Sequence, residues 1–147
     1  MNNKKAKIVM NAMVANEART ITRMLESVYP YIDYWIVQDN GSTDGTQDII
    51  RDFFKEKNIP GFLYETEWRF PGFNRDHALQ ECLKTDHGCD WILRMDADEC
   101  LEVDEDFDWS ILDDLTVDSY NIIVRSYNTR YFRTWFLECA SPLVFPT

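Results

Sequence analysis

The sequence predicts an α/β domain with a mostly parallel sheet, flanking helices and a C-terminal antiparallel hairpin. Short apolar runs alternate with helical patterns in the order β-α-β-α-β-α-β from residue 8 to about residue 96. Two apolar and aromatic segments then follow with no helical pattern between them. Polar clusters stand at the carboxyl ends of the apolar runs, where open α/β sheets bind their ligands.

Residues 8–14 are almost continuously apolar, as a strand covered on both faces requires. After Asn16 and Glu17, the positions Ala18, Ile21, Leu25 and Val28 recur at helical spacing with Met24 in the same stripe, and Pro30 closes the helix. Tyr34-Trp35-Ile36-Val37 is the second strand and residues 39–42 a loop. The second helix is expected to start near Thr43-Asp44 and to bury Ile49, Ile50, Phe53 and Phe54. Residues 58–61 form a turn before a third strand at Phe62-Leu63-Tyr64. Pro71-Gly72 precedes a third helix with Ala78, Leu79, Cys82 and Leu83 on one face, and a fourth strand opens at Trp91-Ile92-Leu93. Residues 120–124 and 131–136 are expected to pair around a turn at Asn128-Thr129.

The 147 residues suffice for one domain, and a formal charge of −11 argues against binding nucleic acid or an anionic membrane surface. No run reaches the length needed to cross a bilayer, and no secretory signal pattern opens the chain. The expected location is cytoplasmic. Cys82, Cys89, Cys100 and Cys139 show no paired spacing and read as free thiols. A zinc site built from Cys89, Cys100 and His77 or His87 has neither the spacing nor the turns of a zinc module.

Four polar clusters converge on the strand ends: Asn16-Glu17, Asp39-Asn40, Thr66-Glu67 and Asp96-Ala97-Asp98. Read as extended backbone, Asp96 and Asp98 point to one side, and two adjacent carboxylates call for a cation. Hard oxygen ligands suit Mg²⁺ or Mn²⁺, which complete their shells with phosphate oxygens and water; the alternative is an acidic loop. Asp39 can accept hydrogen bonds from a base or ribose, or simply organise its turn. Arg75 can fork onto a phosphate or lie on the helix surface. Glu17 can be no more than a favourable charge in the first turn of its helix. His77 and His87 read as surface or packing residues, and Trp68-Arg69-Phe70 as core or as a border of the site, with core the preferred reading.

These residues give the chain a resemblance to family 2 glycosyltransferases of the GT-A fold, spread over about the first 105 positions. Val14-Ala15-Asn16-Glu17 resembles the family's first-strand signature, and residues 38–46 resemble its D-D-G-S-T-D-G-T segment. Residues 73–79 are similar to its arginine-containing helix start, and residues 95–99 to its D-x-D motif. The resemblance implies a nucleotide-sugar donor, usually uridine-linked, and inverting transfer to an acceptor hydroxyl. It places Val14, Asn16, Glu17, Asp39, Arg75, Asp96, Ala97 and Asp98 around the donor. Asp98 and Asp96 then hold Mn²⁺ or Mg²⁺.

The expected partners are that donor and a glycan, lipid or protein acceptor; a homo-oligomer is left open. The family's general base usually lies further along the chain, and after Arg133 only Glu138 is acidic. Residues 1–147 are therefore expected to be a single nucleotide-sugar-binding domain, a truncated or short form lacking much of the acceptor-binding part. The alternative is a donor-binding module with no transfer activity of its own, completed by another domain or subunit. A nucleotidyltransferase is disfavoured because residues 10–20 contain no glycine for a phosphate loop.

Overall fold

The structure, a computed structural model, describes residues 6–114, 116–126 and 129–138. Six strands form one sheet: β1 (Ile8–Val14), β2 (Tyr34–Asp39), β3 (Gly61–Glu65), β4 (Trp91–Asp96), β5 (Ser119–Ser126) and β6 (Thr129–Glu138). Their spatial order is β3-β2-β1-β4-β6-β5. β1 to β4 are parallel, while β6 pairs antiparallel with both β4 and β5. The expected turn falls partly on residues 127–128, which lie outside the described residues, as does Cys139.

Three helices, α1 (Ile21–Val28), α2 (Thr46–Lys57) and α3 (Pro71–Lys84), cover the sheet. Alternation along β1 sends Ile8, Met10, Ala12 and Val14 into a core with Ile21, Met24, Leu25 and Val28 of α1 and Ile50, Phe53 and Phe54 of α2. On the other face Val9, Ile36 and Ile92 meet Leu79 and Cys82 of α3. Burial on both faces explains why β1 reads as an unbroken apolar run. Asn11 is the polar exception, and its carboxamide donates to the carbonyls of Ile36 and Ala78, both at 3.3 Å.

The start of α2 and the burial of one of its residues differ from expectation. α2 starts at Thr46 because Gly45 adopts φ 91°, a left-handed turn that separates Asp44 from the helix. Asp44 still serves the helix start, accepting from the Thr46 N–H at 3.1 Å and from its hydroxyl. Those bonds hold its carboxyl below the usual carboxylate range, the Thr46 hydroxyl acting most strongly. Ile49 is only partly buried, since its position lies at the edge of the apolar stripe. At the opposite end of the sheet, Gly61 lies so close to β2 that a Cβ there would stand 2.1 Å from the Trp35 carbonyl oxygen. The Trp35 ring cannot yield, because it stacks on Phe54 at 4.5 Å and donates to the Ile59 carbonyl.

Candidate functional site

The chain reverses its direction of travel across the sheet between β3 and β4, so β1 and β4 flank a topological switch point. A small cleft opens there between Asn11 and Met13 of β1, Arg94 and Asp96 of β4, and Arg75 of α3. Arg75 and Asp96 face each other across it at 3.9 Å, about half and one-third exposed respectively. At that distance and exposure the pair is weakly held and open to solvent screening.

Asp39 closes β2 and is fully buried. One carboxylate oxygen, Oδ2, accepts from the N–H groups of Gly41 (3.1 Å) and Ser42 (2.9 Å) and from the Gln47 amide (3.0 Å). The other, Oδ1, is buried without a hydrogen-bond partner among the described residues. A buried acceptor left unpaired costs about 1–3 kcal/mol, so this oxygen is one that an external donor would stabilise. In register, Val14 lies opposite Asp39 and Met13 opposite Asp96. Asp39 and Asp96 therefore sit two strand spacings apart, about 10 Å along the carboxyl edge.

The loops after β1 and β2 are latched together. Asn16, at φ 52°, donates its backbone N–H to Ser42 Oγ (2.9 Å) and accepts from the Thr43 N–H on Oδ1 (2.8 Å). The Glu17 N–H donates to Thr46 Oγ1 (2.9 Å) and the Ala18 N–H to Asp44 (3.0 Å). The Glu17 carboxylate accepts from the Thr20 hydroxyl at 2.8 Å. The Ser-Thr-Asp-Gly-Thr segment is thus structural cement for the site's rim. The Asn16 side chain is engaged in this latch, the Glu17 carboxylate is turned to Thr20 within its own loop, and Val14 and Ala97 are buried in the core.

The expectation of an extended D-x-D segment is corrected. β4 ends at Asp96, and Ala97-Asp98 form a turn in which the Glu99 N–H donates to the Asp96 carbonyl (3.0 Å). The Glu99 carboxylate in return accepts from the Asp96 N–H at 3.1 Å. Asp98 is exposed, and its carbonyl receives a hydrogen bond from Arg23 at 3.3 Å. Among the described residues no group of three or more His, Cys, Asp or Glu side chains could hold a metal. Asp96 lines the cleft, and Asp98 lies in the exposed turn that follows it.

A buried polar network, which leaves no periodic pattern in the sequence, underlies the rim. Asn74, fully buried in the first turns of α3, donates to the carbonyl of Glu67 (2.9 Å) and to Asn40 Oδ1 (3.2 Å), and accepts from the Arg69 N–H (2.9 Å). Gln38 donates to the Asn74 carbonyl and to Asn40 Oδ1, while its own oxygen receives Tyr64 (2.8 Å) and lies 2.7 Å from His77 Nδ1. Because Gln38 Oε1 must accept, His77 carries its proton on Nδ1. Burial pushes the Tyr64 phenol up, so it stays a donor. His77 is therefore a network residue, as its packing role suggested.

Trp68 and Phe70 are not core. They are 51% and 59% exposed, on the loop from β3 to α3. Asn74 holds that loop from beneath, and the Thr66 N–H fixes its start to the Asp39 carbonyl at 2.9 Å. With the backbone so clamped, the rings have no route into the core.

The family model for glycosyl transferase family 2 matches residues 13–133. The chain belongs to that family, and its sheet is of the GT-A type. Among solved structures, it is similar to glucosyl-3-phosphoglycerate synthase from Mycobacterium tuberculosis in complex with UDP, with 22% identity and a TM-score of 0.44 over 65% of this chain and 35% of that one. The same enzyme with Mn²⁺, UDP and glucosyl-3-phosphoglycerate gives 22% identity and 0.43 over 63% and 34%. The match thus spans about a third of that enzyme's length. A 4-diphosphocytidyl-2C-methyl-D-erythritol synthase from Anaerococcus prevotii DSM 20548 shares the fold, with 16% identity and a TM-score of 0.52 over 90% and 67%. No match was found among curated protein sequences. No helix among the described residues is long and apolar enough to cross a membrane.

Proposed function

We propose that the chain binds a nucleoside diphosphate sugar, UDP-linked, and transfers the sugar with inversion to an acceptor hydroxyl in a metal-dependent reaction. The observation that carries this reading is the unpartnered, buried Oδ1 of Asp39, two strands from the Asp96–Arg75 pair. The span of about 10 Å suits a nucleoside at β2 and its diphosphate at β4. Asp39 accepts from the nucleoside, Arg75 forks onto the diphosphate, and the latched Asn16-Glu17 loop borders the donor. Asp98 and Asp96 would hold Mn²⁺ or Mg²⁺, which supplies Lewis-acid neutralisation of the departing diphosphate.

Thermal melting tests this. Mn²⁺ together with a nucleoside diphosphate should raise Tm, by mass action on the folded state, and Asp98→Ala should abolish the rise. Absence of a shift across UDP, GDP, CDP and ADP with Mn²⁺ would refute it. Donor binding with no turnover or transfer by the purified chain would instead identify a donor-binding module that needs a further domain or subunit.

A further inference from the structure

We propose that Trp68 is the stacking platform for the nucleobase of the donor, an assignment that rests on the donor-binding reading above. The strand ends run in the order β3, β2, β1, β4 along the carboxyl edge. A ligand with its diphosphate at Asp96 and its ribose near Asp39 extends its base toward β3. The loop that leaves β3 at that point carries Trp68, with half of its surface exposed. Phe70 has Phe73 as a ring neighbour at 5.8 Å, and the Arg69 guanidinium lies over Phe73 at 4.5 Å. Trp68 makes no contact with another aromatic ring among the described residues.

Its exposure is built in. The loop is tied at three backbone points: the Thr66 N–H to the Asp39 carbonyl, the Glu67 carbonyl to Asn74, and the Arg69 N–H to Asn74. A large indole held in water by a rigid loop loses the benefit of burial, and a flat heteroaromatic ring restores it. The bond from Thr66 to Asp39 makes the platform continuous with the residue that offers the unpaired acceptor. Stacking also supplies attraction that the overall charge of −11 cannot give an anionic ligand.

The experiment compares ligands with and without a base on the full chain. The probes are pyrophosphate with Mn²⁺ and whichever of UDP, GDP, CDP or ADP binds the wild type most tightly, titrated by calorimetry and by tryptophan fluorescence. Trp68→Ala should weaken the nucleotide roughly tenfold to a hundredfold and leave pyrophosphate within about twofold. Trp68→Phe should keep most of the nucleotide affinity and remove the ligand-induced quenching of emission. Unchanged nucleotide affinity in Trp68→Ala overturns the proposal, and so does an equal loss of both ligands. If the wild type binds neither probe, the donor-binding reading itself fails, a result distinct from either.

Discussion

The Asn74 carboxamide donates to Asn40 Oδ1 at 3.2 Å and so joins the start of α3 to the end of β2. Each amide in that network has a fixed direction. Asn74 is oriented by two backbone groups, the Glu67 carbonyl and the Arg69 N–H, and Gln38 by the Asn74 carbonyl. Asn40 Oδ1 must then accept from both, which leaves its Nδ2 as a buried donor without a partner among the described residues. Arg75 follows Asn74 directly, so the network also fixes where its guanidinium starts.

Asn74→Ala removes these bonds and strands the Arg69 N–H. The expected cost is about 2–4 kcal/mol, a Tm fall of roughly 5–12 °C for a chain of this size. Asn74→Asp keeps the acceptor for Arg69 but buries a charge and loses both donors, so it should be at least as damaging. Differential scanning calorimetry gives the order; a fall below about 2 °C for either variant would contradict the network's role.

Asn16 combines a left-handed backbone with an acceptor for the Thr43 N–H. Asn16→Gly loses only the acceptor, whereas Asn16→Ala loses it and also strains φ. Urea denaturation should rank wild type above Gly and Gly above Ala, with about 1 kcal/mol between the two variants. An alanine variant more stable than glycine would show that the latch does not need this conformation.

His87 is held in one tautomer. Its Nδ1 accepts from the Cys89 N–H at 3.0 Å, so the proton sits on Nε2, 3.1 Å from the Cys82 carbonyl. Burial lowers its pKa below 6.5. The unfolded chain therefore binds more protons between the folded value and about 6.5, so stability is lost as pH falls through that window. Above it the contribution is complete. Chemical denaturation of the wild type should weaken more steeply from about pH 7.5 to pH 5.5 than that of His87→Gln. Parallel curves would count against this account.

Much of this was legible in the sequence because periodicity reports burial directly. The continuous apolar run of β1 and the helical stripe Ile21, Met24, Leu25, Val28 map onto the observed core. Asp39, Arg75 and Asp96 were placed at one edge by strand order alone, and the structure brings them there. What failed depended on local backbone geometry. A left-handed Gly45 moved the start of α2, and a turn replaced extended backbone at Ala97-Asp98. The Trp68-Arg69-Phe70 stretch looked like core because composition cannot reveal that Asn74 pins its backbone at the rim. The Gln38–Asn40–Asn74 network has no periodic signature at all, since it joins residues up to 36 positions apart.

Gly61 gives the molecule a second kind of sensitive position. Any side chain there meets the Trp35 carbonyl and ring at once, at the amino end of β3, far along the strand from the loop that bears Trp68. A survey of mutational tolerance would therefore mark the start of β3 and the loop after it as intolerant, for unrelated reasons. Substitution at residue 61 should empty the soluble fraction, whereas substitution at residue 68 should yield abundant, well-folded protein. Scoring abundance separately from ligand capture distinguishes the close packing at residue 61 from the ligand-facing role proposed for residue 68.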